Sequence, residues 1–184
     1  IGYVEQAVEP PMKDHLFDID ICPFDFAKFI RPSIVILHLF SGRRRPGDLQ
    51  DSIERVFQSS WHQVIVISLD VVYGQRGDLT NADNQNFWRC AIRSGKVIGF
   101  VAGPPCESWS IARFRPGGPP PLRSQSQLWG LTGLSFKQYM QIEAANLLLQ
   151  TALFFASEAL LVGACGVIEH PAIIDLHQAH VAPS

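Results

Sequence analysis

Val97-Ile98-Gly99-Phe100-Val101-Ala102-Gly103-Pro104-Pro105-Cys106-Glu107-Ser108-Trp109-Ser110 carries the first decision about the fold. Its opening half is a short apolar run without polar alternation, the pattern of a strand covered on both faces. Gly103 and the two prolines end that run. Proline fixes φ and lacks an N–H, so neither Pro104 nor Pro105 can extend a sheet ladder. Cys106 therefore stands on a stiff turn at the carboxyl end of a strand. A thiol held in this way is set up as a nucleophile. The plainer alternative is a Pro-rich loop with an incidental small apolar Cys. The preceding strand and the trailing Ser-Trp-Ser favour the nucleophile.

Outward from this stretch, the chain alternates strands with helices. Ile34 to Phe40 is a β-branched-rich run stopped by Ser41-Gly42. Asp48 to Phe57 has Leu49, Ile53, Val56 and Phe57 at helical spacing, with Pro46 suited to the first turn. Val64 to Leu69 reads as a buried strand ending at Asp70. Asn81 or Asp83 can cap a helix through Ile92, with Phe87, Cys90 and Ala91 on one face. A loop rich in Gly, Pro, Arg and Ser runs from Ser108 to about Ser126. Phe136 to Leu161 reads as one long helix, with Leu147, Leu148, Thr151, Phe154 and Phe155 facing the sheet. On that helix Gln138, Gln141 and Asn146 are expected at solvent or edge positions. Gly166 to Glu169 is a short strand that ends at His170-Pro171. Trp61, Trp88 and Trp129 read as core or interface fillers, whereas Trp109 lies beside the candidate nucleophile.

Such alternation predicts an α/β fold: a Rossmann-like, mainly parallel sheet with helices on both faces. These sheets bind ligands beyond the carboxyl ends of their strands. Ser41, Asp70, Cys106 and Glu169 all fall there. Residues 1–32 are acidic, Pro-punctuated and weakly periodic, and read as an N-terminal extension; residues 33–184 read as a single domain.

Composition narrows the class. Of 184 residues, 47% are hydrophobic and 17% charged, a globular balance and not a disordered one. The most apolar stretch, residues 144–163, is interrupted by Asn146, Gln150 and Glu158 and reads as a buried helix, so no membrane partner is expected. No signal peptide is visible, and the first residue, Ile1, indicates a processed start or a fragment. Residues 1–30 hold six acids against Lys13 and Lys28; the rest carries 13 basic and 11 acidic residues. That balance permits a nucleic-acid partner without demanding one. The four cysteines, Cys22, Cys90, Cys106 and Cys165, show no CxxC spacing, so neither a zinc ribbon nor any other metal site is expected. Reduced thiols fit an intracellular setting, and the nucleus in a eukaryote.

The segment from Phe100 to Ser110 resembles the Gly-Pro-Pro-Cys-Gln-x-Phe-Ser motif of DNA cytosine-C5 methyltransferases. Four more matches follow that family's order. Leu39-Phe40-Ser41-Gly42 resembles its first S-adenosylmethionine motif. Asp70 resembles the acid that binds the cofactor ribose, and Gly77-Asp78-Leu79 the segment that meets the adenine. Ile168-Glu169-His170-Pro171 is similar to the family's Glu-Asn-Val motif. The resemblance covers about residues 34 to 175 and implies the class I S-adenosylmethionine-dependent methyltransferase fold, here truncated.

What the resemblance implies is chemically coherent. Cytosine C5 is a poor nucleophile. A Cys106 thiolate adding to C6 makes C5 enamine-like and able to take a methyl group. Glu169 would hold the base edge and protonate N3. A carboxyl buried beside Ile168 and Pro171 could stay protonated near neutral pH. The implied cofactor is S-adenosylmethionine, held by Phe40, Ser41, Gly42, Asp70, Asp78, Leu79 and Pro105. The implied partner is duplex DNA with its target cytosine flipped out, contacted by Ser110; Arg113 and Arg115 are candidate substitutes for the missing phosphate or base contacts, with flexible loop charges as their plainer alternative. Turn chemistry is the plain alternative for Asp70 and Asp78.

Departures from the family accompany the matches. Arg43-Arg44-Arg45-Pro46-Gly47 stands where the family has glycine, and reads as a solvated basic turn. His38, Glu107 and His170 replace the family's Asp, Gln and Asn. No Gln-x-Arg-x-Arg segment or target-recognition domain is present before Ser184. Two further expectations therefore stand beside active methyl transfer. One is a catalytically inactive methyltransferase-like module of a larger, mobile-element protein. The other is a Cys/His hydrolase using Cys106 with His170 or His177, disfavoured because Pro104 and Pro105 remove donors from any oxyanion turn.

Overall fold

The apolar runs become a four-stranded sheet in the computed structural model, which describes residues 33–59 and 63–171. The strands are β1 (Ser33–Leu39), β2 (Gln63–Leu69), β3 (Val97–Ala102) and β4 (Cys165–Ile168). All pair in parallel, in the order β2-β1-β3-β4. β1 has its successor β2 on one side and β3 on the other, so the chain changes direction across the sheet between β1 and β3. A crevice at the carboxyl ends opens at such a switch point. The expected N-terminal extension, with Cys22, lies outside the described residues, as do Trp61 and His177.

Three helices connect the strands: α1 (Leu49–Val56), α2 (Ala82–Arg93) and α3 (Phe136–Leu161). Each starts where a short polar side chain meets free N–H groups. The Asp48 carboxylate accepts from Asp51 N at 3.0 Å, and Asn81 Oδ1 accepts from Asp83 N at 2.8 Å. Ser135 and Gln138 form a reciprocal capping box at the head of α3.

One sheet face carries the main core. Val35, Leu37, Leu39, Leu69, Phe100 and Ala102 pack against Trp88, Ala91 and Ile92 of α2 and Ala152, Phe155 and Ala159 of α3. A fully buried Phe100 or Phe155 side chain contributes on the order of 1.5–3 kcal/mol. Along β2, Val66 and Ser68 alternate with the core-facing Ile67 and Leu69. The Ser68 hydroxyl donates to Gln50 Oε1 of α1 at 2.9 Å. Thus α1 covers the opposite face, and helices lie on both sides of the sheet, as expected.

The packing of α3 follows its expected phase at Leu148, Thr151 and Phe155 and departs from it at two positions. Leu147 and Phe154, expected inward, are exposed; the buried stripe is Ala145, Leu149, Ala152, Phe155 and Ala159. A helix that is apolar all round gives periodicity nothing to phase. Here three alanines let the helix approach the sheet, with Leu149 and Phe155 packed between them. On α2, Trp88 and Ile92 join Ala91 in the core while Phe87 is only partly buried. Trp129, expected as a filler, is 53% exposed.

By length and composition α3 could cross a membrane. In the fold it packs on the sheet, and its Glu158 is buried in an ion pair with α2. Arg93 forks onto that carboxylate, with its Nη2 at 2.9 Å from Oε1, and Arg89 Nε donates at 3.2 Å. The Arg93 hydrogen bond, ahead of all other causes, holds the Glu158 carboxyl below its usual range.

Candidate active site on the carboxyl rim

Pairing continues one step past each strand and lines up the rim. Ser41 N donates to Leu69 O at 3.3 Å, and Gly103 N to Leu39 O at 3.5 Å. Glu169 N donates to Ala102 O at 2.9 Å. The segments around Ser41, Asp70, Gly103 and Glu169 therefore stand side by side.

On the β1–β2 side the rim is tightly turned. Phe40 has φ +58°, a left-handed conformation that costs a bulky residue about 1–3 kcal/mol. Asp70 receives Gly42 N on Oδ2 at 2.9 Å and Val72 N on Oδ1 at 3.1 Å. Both carboxylate oxygens are thus engaged by backbone, each keeping one further lone pair. The following loop presses back on Asp70 so closely that a β-carbon on Gly77 would lie 2.0 Å from the Asp70 carbonyl oxygen. Asp78 Oδ1 accepts from Thr80 N at 3.0 Å and Thr80 Oγ1 at 2.6 Å. Those bonds hold its carboxyl below the usual range. Leu79, expected to pack on an adenine ring, is 1% exposed and belongs to the core, so it has no surface to offer a ligand.

The basic turn is divided in its roles. Arg44 pairs with Asp48, at 2.6 Å, and with Asp51, and its N–H donates to the Tyr73 hydroxyl. The side chains of Arg43 and Arg45 are exposed.

On the β3–β4 side the rim presents side chains. Pro104 is buried and Pro105 exposed. Cys106 is a free, half-buried thiol residue, and its carbonyl accepts from Trp109 N at 2.8 Å to close a 3-10 turn. Glu169 Oε2 lies 4.0 Å from where a β-carbon on Gly103 would stand. This carboxylate therefore reaches over the start of the turn that carries Cys106. Glu169 is exposed, so the expected burial beside Ile168 and Pro171 does not occur: β4 ends at Ile168 and the side chain leaves the sheet toward solvent.

The expected nucleic-acid contacts are partly committed elsewhere. Ser110 Oγ accepts from Ala112 N at 3.2 Å. Arg113 donates to Glu107 O at 2.8 Å and to Pro120 O at 3.0 Å, bracing its own loop. Arg115 is exposed.

Sequence reasoning missed the centre of this half. Arg123, read as loop, is 1% exposed. Its Nε and Nη2 donate to Ser108 Oγ at 3.1 and 2.9 Å, and its Nη1 to Leu128 O at 2.7 Å and Asn146 Oδ1 at 2.8 Å. The guanidinium lies 3.6 Å from the Trp109 ring centroid. Burial pushes Arg123 down to about 10, so it remains a cation at neutral pH. Asn146, expected at the surface, also donates to Trp129 O at 2.9 Å. Trp109 in turn meets the His170 ring edge-on, with centroids 5.1 Å apart. Trp109 Nε1 and His170 Nε2 are buried without a hydrogen-bond partner among the described residues. His170 Nδ1 lies 3.1 Å from Pro171 O, a contact that is a hydrogen bond in the tautomer with the proton on Nδ1, since a carbonyl only accepts. An open groove of about 610 Å³ between α3, Thr80 and Trp129 is lined by Asn146 but by none of Asp70, Cys106 and Glu169.

Among protein-family models, curated proteins and solved structures, none matches this chain.

Proposed function

We propose that this rim is a methyltransferase-type site that acts on C5 of cytosine in DNA, with Cys106 as nucleophile. The observation that carries the reading is the neighbourhood of Cys106 and Glu169. A half-buried thiol residue and a solvent-facing carboxylate leave adjacent parallel strands, and the carboxylate reaches over Gly103. In this reading the Cys106 thiolate forms a bond to C6 of a flipped cytosine. Glu169 hydrogen-bonds the base edge and supplies a proton to N3, so that electron density moves to C5. S-adenosylmethionine, when bound, supplies the electrophilic methyl group. The methyl group would pass to C5 as the cofactor leaves as its thioether, S-adenosylhomocysteine; C5 then loses its proton to solvent, N3 returns its proton to Glu169, and the bond to Cys106 breaks so that the thiolate returns.

The residues fit that cofactor in part. Phe40, Ser41, Gly42, Asp70 and Pro105 sit at the switch-point end of the sheet, and the space above Gly42 is open. Asp70 has one lone pair left on each oxygen for ribose hydroxyls. The adenine end fits less well: Leu79 is buried and Asp78 is bonded to Thr80. That mismatch favours a second reading, a catalytically inactive methyltransferase-like module of a larger protein.

Transfer of tritiated methyl groups from S-adenosylmethionine to DNA tests the first reading. Cys106→Ser abolishes transfer, and 5-fluorocytosine DNA traps a covalent adduct on the wild type. Cofactor binding without an adduct in any DNA context supports the inactive module; calorimetry that finds no binding at millimolar cofactor overturns both readings for this chain.

A further inference from the structure

We infer that Arg123 is a positioning residue that clamps the Cys106 turn onto α3 and onto the strand end that carries Glu169. The catalytic consequence rests on the methyl-transfer reading; the clamp itself does not.

Three contacts make the clamp. Two of the guanidinium's N–H groups converge on Ser108 Oγ, two residues after Cys106. A third nitrogen reaches Leu128 O and Asn146 Oδ1, the latter on α3. The guanidinium plane stacks on Trp109, whose ring abuts His170, the residue after Glu169. A chain of packed groups thus runs from the turn of Cys106 to the neighbour of Glu169.

The burial of Arg123 makes the inference more than a contact count. An arginine this deep is normally paired with a carboxylate, because desolvating a charge is expensive. Arg123 has no acidic partner among the described residues. Stability alone is better served by an apolar residue of similar size. What an apolar residue cannot do is hold one hydroxyl with two donors, hold a helix with a third, and stack on an indole. Lysine cannot do so either, since its ammonium lacks the planar fork.

Alkylation of the intact chain by iodoacetamide, followed cysteine by cysteine, tests the clamp. Arg123→Lys keeps the charge and loses the fork; Ser108→Ala removes only the acceptor, and remains foldable should Arg123→Lys not be. Cys106 is expected to react roughly tenfold faster in either variant, the opening that loss of one hydrogen bond to a charged group permits. Cys165, exposed on the edge strand, reacts at the wild-type rate. A Cys106 rate within about twofold of wild type in a folded variant overturns the inference, as does a parallel rise at Cys165, which marks general loosening. Where the wild type transfers methyl groups, Arg123→Lys lowers kcat and leaves KM for DNA unchanged; a change in KM alone counts against positioning. Should the wild type transfer none, the methyl-transfer reading falls and the alkylation rates alone decide the role of Arg123.

Discussion

The two halves of the rim are built in opposite ways. On the β1–β2 side, polar groups are satisfied by the loops of that side: Gly42 and Val72 on Asp70, Thr80 on Asp78. On the β3–β4 side, the turn is held from a distance by Arg123, while Trp109 Nε1 and His170 Nε2 have no partner among the described residues and Glu169 faces solvent. Buried polar groups are nearly always paired in folded proteins. A half that leaves them unpaired has bonding capacity to give to something else, whereas the other half has largely used its own.

Damage to one half should therefore not reach the other. The largest effect on stability is expected from Gly77→Ala. Its new β-carbon would meet backbone, not a flexible side chain, at Asp70. The loss should be at least about 2 kcal/mol, at the upper range for overpacking, as read from urea unfolding. Alkylation of Cys106 in the folded variant should stay at the wild-type rate; if it rises in step, the halves are one unit. Asn146→Ala makes the complementary cut. It removes an acceptor from Arg123 and a donor to Trp129 O, for about 1–3 kcal/mol. In that variant Cys106 should become more reactive while the β1–β2 side is untouched.

The same division explains what the sequence could show. Apolar runs, caps and the Gly-Pro-Pro stop are local signals, so the strands, their parallel pairing and the starts of all three helices were legible. Asp70 and Asp78 were legible too, as turn chemistry, because each bonds the backbone N–H two residues on; the Gly42 N–H on Asp70, 28 residues away, was not. Arg123 was not. Its partners, Ser108 and Asn146, are 15 and 23 residues distant, and a Pro-rich stretch ending in Leu-Arg looks like any solvated loop. Leu79 misled for the opposite reason: its place after Gly77-Asp78 suggested a ligand, but an isolated Leu beside a turn is more simply a core residue. Glu169 was located correctly along the chain, yet no local signal told whether its side chain leaves the sheet.

Asp70→Asn sharpens the comparison further. Asn keeps one oxygen acceptor but turns an NH2 toward one of the two backbone donors. A loss of about 1 kcal/mol in unfolding free energy is expected. Calorimetry with S-adenosylmethionine then separates the two roles of Asp70. Weaker cofactor binding in a folded Asp70→Asn supports the ribose contact; unchanged binding leaves Asp70 with its turn alone.

The smallest effect is a pH dependence confined to the β1–β2 half. His38 sits on β1, half-buried. Burial holds its pKa below the ordinary 6.5, with Asp48 opposing and Arg44 reinforcing that shift. The neutral ring is the form the fold prefers. Above 6.5 both folded and unfolded chains carry neutral His38, and its ionisation leaves stability unchanged. As pH falls through 6.5, the unfolded chain takes up the proton first, so stability declines until the folded ring also titrates. Urea midpoints should therefore drop between pH about 7.5 and about 5.5, and His38→Gln should flatten that slope. Because His38 lies on the half that closes on itself, the rate of Cys106 alkylation, corrected for the thiolate fraction, should have the same pH profile in His38→Gln as in the wild type. A profile that changes with His38 would show that the two halves communicate through β1, the strand between β2 and β3.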